Sequence, residues 1–259
     1  MILDCHVHLP SPGLKRTEEW EPCTADTEAA IAYLRRCGIG GIVASSARGL
    51  LAQTPEEVIA GNDETAQANQ QNAGFVIPAC QVNTNFPNEA IEELRRCRDK
   101  LGMVWVGELC GYVSGYSYAT PAFADALRTA TGLGMVVQIH NDSSSDMARL
   151  LTEFPQTTFV LAHLGDSPEE VEERIGLAAR FPNLYLDICG HGYQRMGVLE
   201  LAVRQASADR VLFGSDYTVN DPAGVIARIQ LADFDAETKE KLLGGNLAHL
   251  LTERGWKDL

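Results

Sequence analysis

Six side chains of metal-ligand type stand at the ends of apolar runs spread along this 259-residue chain. His6 and His8 close ILDCHVH, Glu108 lies in MVWVGEL, His140 closes MVVQIH, His163 closes TFVLAH and Asp216 closes VLFGSD. Residues two apart in a strand leave on one face with Cα atoms ~7 Å apart, so His6 and His8 can converge on one cation. A single HxH pair is weak, because a satisfied core histidine reads the same way. Four of the chain's six histidines at strand ends form a stronger, joint signal. Three imidazoles and the Asp216 carboxylate, with a position left for water, fit a catalytic Zn²⁺ site better than a closed structural one. Nitrogen and oxygen donors equally admit Mn²⁺ or Fe²⁺. Asp216 reads as a monodentate ligand that also accepts a proton from an activated water. Glu108 is costly in an apolar run unless paired or bound to a cation. It reads either as a bridging or second-metal ligand or as the partner that holds a histidine, so one or two ions are expected.

Residues so far apart in sequence meet only if the elements between them return each strand end to one place. Strand-like runs begin near residues 2, 39, 75, 103, 135, 158, 184 and 211. Each unit is therefore roughly 25–35 residues, a strand plus a covering helix. The runs are near-continuous hydrophobics, as buried parallel strands are. Helical periodicity covers Thr27–Cys37, Pro55–Asn72, Pro87–Lys100, Pro121–Gly132, Ser144–Phe154, Ser167–Phe181 and Gln194–Ala206. Thr54-Pro55, Ser167-Pro168 and Asp221-Pro222 place a capping oxygen before a first-turn proline, and Gly38, Gly102, Gly134 and Gly176 mark helix ends. Eight β/α units without a linker predict an α/β fold: a (β/α)8 TIM barrel spanning residues 1–259 as one domain, finished by an extra C-terminal helix over Glu237–Leu251. A doubly wound open sheet is the alternative. It would leave the ligand-type residues of the first and last strands far apart, whereas a barrel gathers all the C-terminal strand ends at one mouth.

The formal net charge of −14 repels phosphate backbones, and no run of Lys and Arg exceeds two, so nucleic acid is not an expected partner. Seven cysteines, odd in number and without a CxxC pair, fit a reducing, cytoplasmic location. No signal peptide or membrane-spanning segment is expected. The partner expected is a small-molecule substrate, and the sequence is compatible with self-association into a homo-oligomer. None of the five lysines (15, 100, 239, 241, 257) ends a strand, so a bridging carbamylated lysine is not available. His191, after the seventh strand, stands near the mouth, either to meet substrate or as a surface histidine. Arg48, Gln81 and Asn83 also follow strand ends and are candidates to orient a carboxylate or carbonyl. Tyr112, Tyr116 and Tyr193 fall in the loops expected to set specificity, and His249 in the last helix is expected to be structural.

DCHVHLP at the start, IH at 139–140, LAHLGD at 161–166, LFGSDY at 212–217 and LLGGNLAHLL at 242–251 resemble the metal-dependent amidohydrolase superfamily. The closest resemblance is to its amidohydrolase-2 branch, over essentially the whole chain. The resemblance implies a distorted (β/α)8 barrel in which His6, His8, His140 and Asp216 hold one divalent metal. It makes His163 either a ligand of a second metal or a catalytic residue that polarises substrate or water. Glu108 in VGELC is similar to the strand-four glutamate of the TatD-type hydrolases, which hold two metals. The leading expectation is hydrolysis of a lactone, ester or amide by a metal-activated water, with Asp216 taking the proton and His163 steadying the oxyanion. The alternatives are non-oxidative decarboxylation or C–C hydrolysis of an aromatic or unsaturated acid, and TatD-like phosphoester cleavage. A barrel that binds metal only to stabilise its fold is the reading outside enzymes.

Overall fold

The structure, a computed structural model, describes residues 1–14, 26–140, 143–190 and 192–258. Eight strands form one sheet in sequential order: β1 (Ile2–Leu9), β2 (Ile39–Ser46), β3 (Val76–Cys80), β4 (Trp105–Leu109), β5 (Val136–Ile139), β6 (Phe159–Leu161), β7 (Leu184–Asp187) and β8 (Val211–Leu212). Every neighbouring pair is parallel. The ring closes where the segment after β8 lies along β1. Cys5 N donates to Phe213 O at 2.9 Å, Asp216 N to His6 O at 2.9 Å and His8 N to Tyr217 O at 2.5 Å. This is the expected barrel, and the open doubly wound sheet is set aside.

Helices cover the outside: α1 (Thr27–Arg36), α2 (Ala47–Leu50), α3 (Pro55–Gln71), α4 (Pro87–Asp99), α5 (Gly111–Ser114), α6 (Pro121–Gly132), α7 (Ser144–Glu153), α8 (Pro168–Arg180), α9 (Val198–Ala206) and α10 (Pro222–Leu231). The expected caps are present. Thr54 accepts from Glu57 N, Asp221 accepts from Ala223 N, and Ser167 with Glu170 forms a reciprocal capping box. Two expectations need correction. Gly176 lies inside α8 rather than at its end. The helix expected from Gln194 begins only at Val198, after Gly197 takes a left-handed φ of 85°.

Strands pack outward and inward on separate cores. Val7, Ile42, Val106, Val137 and Phe159 meet Leu34, Leu94, Leu127, Leu150 and Ile175 of the helices. Leu3, Cys5, Val43, Ile77, Trp105, Val136, Val160 and Leu212 fill the barrel interior. In β1 an alternating strand would turn residues 3, 5, 7 and 9 the same way. A register shift between Asp4 and Val7 breaks that parity. Leu3 and Cys5 therefore face the interior, Val7 and Leu9 face the helices, and His6 and His8 turn inward at the upper end. Asp4 fixes the shift, its Oδ1 accepting from both His6 N and Ser215 N at 3.0 Å.

The single C-terminal helix expected over Glu237–Leu251 is a broken one. It runs as α11 (Ala236–Glu240), a wider π-helical turn over Lys241–Gly245 and α12 (Asn246–Glu253), with non-helical backbone at Gly244. A Cβ on Gly244 would lie 2.4 Å from Met1 O and 2.9 Å from Leu3 N, so only glycine fits where this segment passes under β1. Beyond the break, Leu247, Leu250 and Leu251 close the lower end of the barrel.

Candidate active site

The six residues singled out at strand ends come together at the upper end of the barrel. His6 Nε2 lies 2.9 Å from His8 Nε2, 3.2 Å from Glu108 Oε2 and 3.6 Å from Asp216 Oδ1. His8 Nε2 lies 3.5 Å from the same Glu108 oxygen and 3.4 Å from Asp216 Oδ1. Four donor atoms ~2.1 Å from a central ion would define a tetrahedron with edges of ~3.4 Å. The His6–His8–Asp216 distances, 2.9, 3.6 and 3.4 Å, bracket that value for three of the donors. Glu108 turns its other oxygen the opposite way, with Oε1 3.1 Å from His140 Nδ1 and 3.4 Å from His163 Nε2. The potential metal donors fall into three groups, His6–His8–Asp216, His6–Asp187–Cys189 and Glu108–His140–His163, and Glu108 Oε2 reaches from the third toward the His6 and His8 nitrogens of the first.

The electrostatics match the geometry. Burial alone would raise the Glu108 carboxyl, but His6, His140 and His163 outweigh it and hold the group well below the usual carboxylate range. Asp216 behaves likewise, with His6, His8 and His163 overcoming its burial. Burial opposes charge on His6, yet Cys189, Glu108 and Asp187 lift its imidazole well above the ordinary value. Such a cluster draws positive charge into itself, as protons on the rings or as a cation among them.

Backbone strain concentrates at two of these positions. His163 has φ 66° and Asp216 φ 59°, left-handed values that a side-chain-bearing residue adopts at a cost. Arg174 of α8 supports the first, its Nη1 donating to Ala162 O at 3.0 Å and His163 O at 3.1 Å. Gly190 leaves room for the ring, since a Cβ there would lie 2.3 Å from His163 Nδ1.

Two participants were not singled out from sequence. Asp187, at the end of β7, sets Oδ2 2.6 Å from His6 Nδ1. Accepting Nδ1–H leaves the Nε2 lone pair directed at the donor cluster, the arrangement that orients a metal-binding histidine. Cys189 Sγ lies 3.1 Å from His6 Nδ1 and 3.2 Å from His163 Nδ1. Asp187 carries the same mark that exposed Glu108, a carboxylate in an apolar strand run. Nothing in the sequence distinguishes Cys189 from the other buried thiols.

Other expectations need correction. Arg48 is spent on Glu64 (Nε to Oε1, 2.6 Å) and Pro12 O, so it does not orient a ligand in the site. Asn83 serves the loop carbonyls of Ala52 and Ser114. Gln81 acts from behind, donating to the Glu108 carbonyl at 2.8 Å. Tyr116 packs on Tyr118 and Phe123 instead of facing the site, whereas Tyr112 is exposed and its ring stands 4.9 Å from that of His140. Tyr193 is buried and is not part of the cavity lining. His249 is exposed beside Glu253 on α12. His191 lies outside the described residues.

A cavity of about 480 Å³ opens above Glu108, His140, His163 and Asp216. That is ample for a small molecule. Leu50, Leu51, Tyr112, Val113 and Val219 supply apolar and aromatic walls, while Asp166, Glu170 and Arg174 supply polar ones. Among the described residues no helix is long and apolar enough to cross a membrane.

The family model described as Amidohydrolase (Amidohydro_2) matches residues 3–251. No curated protein sequence matches significantly. Among solved structures, 2,6-dihydroxybenzoate decarboxylase from Rhizobium superposes with a TM-score of 0.75 at 16% identity, covering 98% of this chain and 99% of that one. A dihydroxybenzoic acid decarboxylase from a Polaromonas species, with bound manganese and the inhibitor 2-nitroresorcinol, gives 0.79 at 16% identity and 99% coverage of both chains. The 5-carboxyvanillate decarboxylase of Novosphingobium aromaticivorans, complexed with manganese and 4-hydroxy-3-methoxy-5-nitrobenzoic acid, gives 0.77 at 13% identity, covering 97% of this chain and 96% of that one.

Proposed function

Because the chain belongs to the amidohydrolase family described by the Amidohydro_2 model, we propose that it is a metal-dependent enzyme that removes carbon dioxide, without oxidation, from a small aromatic or unsaturated carboxylic acid. The observation that carries the metal-dependent part is the cluster of His6, His8 and Asp216 donors, with Glu108 beside both imidazoles, beneath a small-molecule cavity. Decarboxylation is supported by the solved relatives of like fold, several of which act on dihydroxybenzoate or 5-carboxyvanillate. Manganese in two of them makes Mn²⁺ as apt a first choice as Zn²⁺.

A divalent cation held by these residues supplies a fixed positive charge for a carboxylate or phenolate oxygen of the substrate. The chain does the rest. Tyr112, Leu50, Leu51 and Val113 offer flat apolar contact to an aromatic ring. Breaking the bond to the carboxyl carbon leaves an electron pair on the ring carbon, which must gain one proton. Asp216 and His163, two of the titratable groups on the cavity wall, are placed to hold and move that proton. Asn220 Nδ2, 3.3 Å from Asp216 Oδ2, steadies the carboxylate.

Hydrolysis of a lactone, ester or amide stands as a second reading, favoured by the division of Glu108 between two donor groups. A carboxylate so placed suits two ions, one amid His6, His8 and Asp216 and one beside His140 and His163. Product analysis separates the readings. Manganese- or zinc-loaded protein is given carboxyl-labelled hydroxybenzoates, lactones and esters in heavy-oxygen water. Labelled carbon dioxide with no heavy oxygen in the product supports decarboxylation. Heavy oxygen in an acid product, with no carbon dioxide, replaces it with hydrolysis. Either activity should fall on the order of 100-fold or more in His6→Ala and Asp216→Asn; full activity in both would overturn the site.

A further inference from the structure

The interior of an α/β barrel is ordinarily filled by branched aliphatic side chains in layers. Here a polar column runs through it. Trp105 of β4, fully buried, donates its Nε1–H to Gln138 Oε1 at 3.0 Å. Gln138 of β5, 1% exposed, donates from Nε2 to Asp187 Oδ2 at 3.1 Å. That same oxygen faces His6 Nδ1 at 2.6 Å. The indole has only a donor to offer, so its hydrogen bond fixes which end of the Gln138 amide is oxygen and turns the NH₂ toward Asp187. The carboxylate is held from further sides: Cys189 N donates to Oδ1 at 2.9 Å and Cys189 Sγ to Oδ2 at 3.0 Å. A Cβ on Gly214 would lie 2.1 Å from Oδ1, so the carboxylate fits against bare backbone.

We propose that Gln138 and Trp105, which touch neither the cavity nor the His6, His8, Glu108 and Asp216 donor atoms, are positioning residues that fix the His6 ring through Asp187. The inference rests on the reading that His6 Nε2 binds a cation. A carboxylate free to rotate would let His6 present Nε2–H instead of its lone pair. The relay, together with the Cys189 bonds, removes that freedom: the indole orients the amide, the amide holds the oxygen that faces His6, and that oxygen takes the Nδ1 proton. Burying an indole N–H and a carboxamide among Leu3, Val43 and Ile77 brings no packing advantage over aliphatic side chains. A role at the site accounts for their presence.

The test uses the full-length protein and two conservative changes. Gln138→Met keeps length and removes both hydrogen bonds, and Trp105→Phe keeps a buried ring and removes the N–H. Affinity for Mn²⁺ is measured by competition with a chromophoric chelator, and unfolding of the metal-free protein is followed in parallel. Gln138→Met should weaken manganese binding about 10-fold or more. Trp105→Phe should weaken it by a smaller factor, and adding it to Gln138→Met should cost no further affinity because the relay is already cut. Both variants binding manganese as tightly as the parent would overturn the proposal, and so would two losses that simply add. If Gln138→Met fails to fold, unchanged manganese affinity in Trp105→Phe alone overturns it. A parent chain that takes up neither manganese nor zinc overturns the cation reading itself, and the relay with it.

Discussion

At the scale of single residues, the site depends as much on what is missing as on what is present. Gly190 and Gly214 lie against His163 and Asp187 so closely that one methyl group must displace a functional side chain. Gly214→Ala should therefore weaken manganese affinity about 10-fold or more, read by equilibrium dialysis, through displacement of Asp187. Gly190→Ala should instead cut turnover while leaving one manganese bound, because it pushes on His163 rather than on His6 and His8. Equal effects of the two changes on metal content would show that these glycines do not act separately. His6, His8, Glu108, His140, His163 and Asp216 were legible in the sequence because a charged or titratable group ending an apolar run is costly unless it has work to do. Asp187 carried the same mark. Gln138 did too, in VVQIH, but an amide has no charge to attract notice. Arg48 shows the limit from the other side: a guanidinium after a strand end is poised for an anion only if no carboxylate reaches it first, and Glu64 does.

At the scale of elements, β1 shows why spacing alone could not give the whole geometry. HxH puts two imidazoles on one face, but which face depends on the register shift at Cys5 and His6, and a shift leaves no compositional trace. The eight strands were legible because each is a short, near-continuous hydrophobic run between capped helices. The four-residue helices α2 and α5 are too short to show a period. The C-terminal segment shows the same limit, since its apolar periodicity continues across a break at Gly244, where glycine packs against Met1. Gly244→Ala tests that break. It should destabilise the fold by about 1–3 kcal/mol through overpacking against β1. The rise in Tm caused by manganese should be unchanged, because the break lies at the end of the barrel opposite the site. A Gly244→Ala protein as stable as the parent would show that the lower closure has room for a methyl group against β1.

At the scale of the whole molecule, the barrel is a device for bringing strand ends that are distant in sequence around a few cubic ångströms of space. Carboxylates and imidazoles gathered there repel or compete for protons unless positive charge is shared among them, so a bound cation should stabilise the native state. With free Mn²⁺ at a hundredfold excess over Kd, the gain is ~2.7 kcal/mol. For a chain of this size that corresponds to a Tm rise of roughly 5–10 °C. Differential scanning fluorimetry with and without chelator should show it in the parent and not in His6→Ala. The acidic surface gives no such specific response, since exposed carboxylates bind Mn²⁺ weakly, and the His6→Ala control separates the two. The most direct measurement is anomalous diffraction at the manganese edge from metal-soaked crystals. A manganese ion in this site gives a peak within bonding distance of His6 Nε2, His8 Nε2 and Asp216, beside Glu108. A map with no peak there, or with peaks only on surface carboxylates, would contradict the metal site.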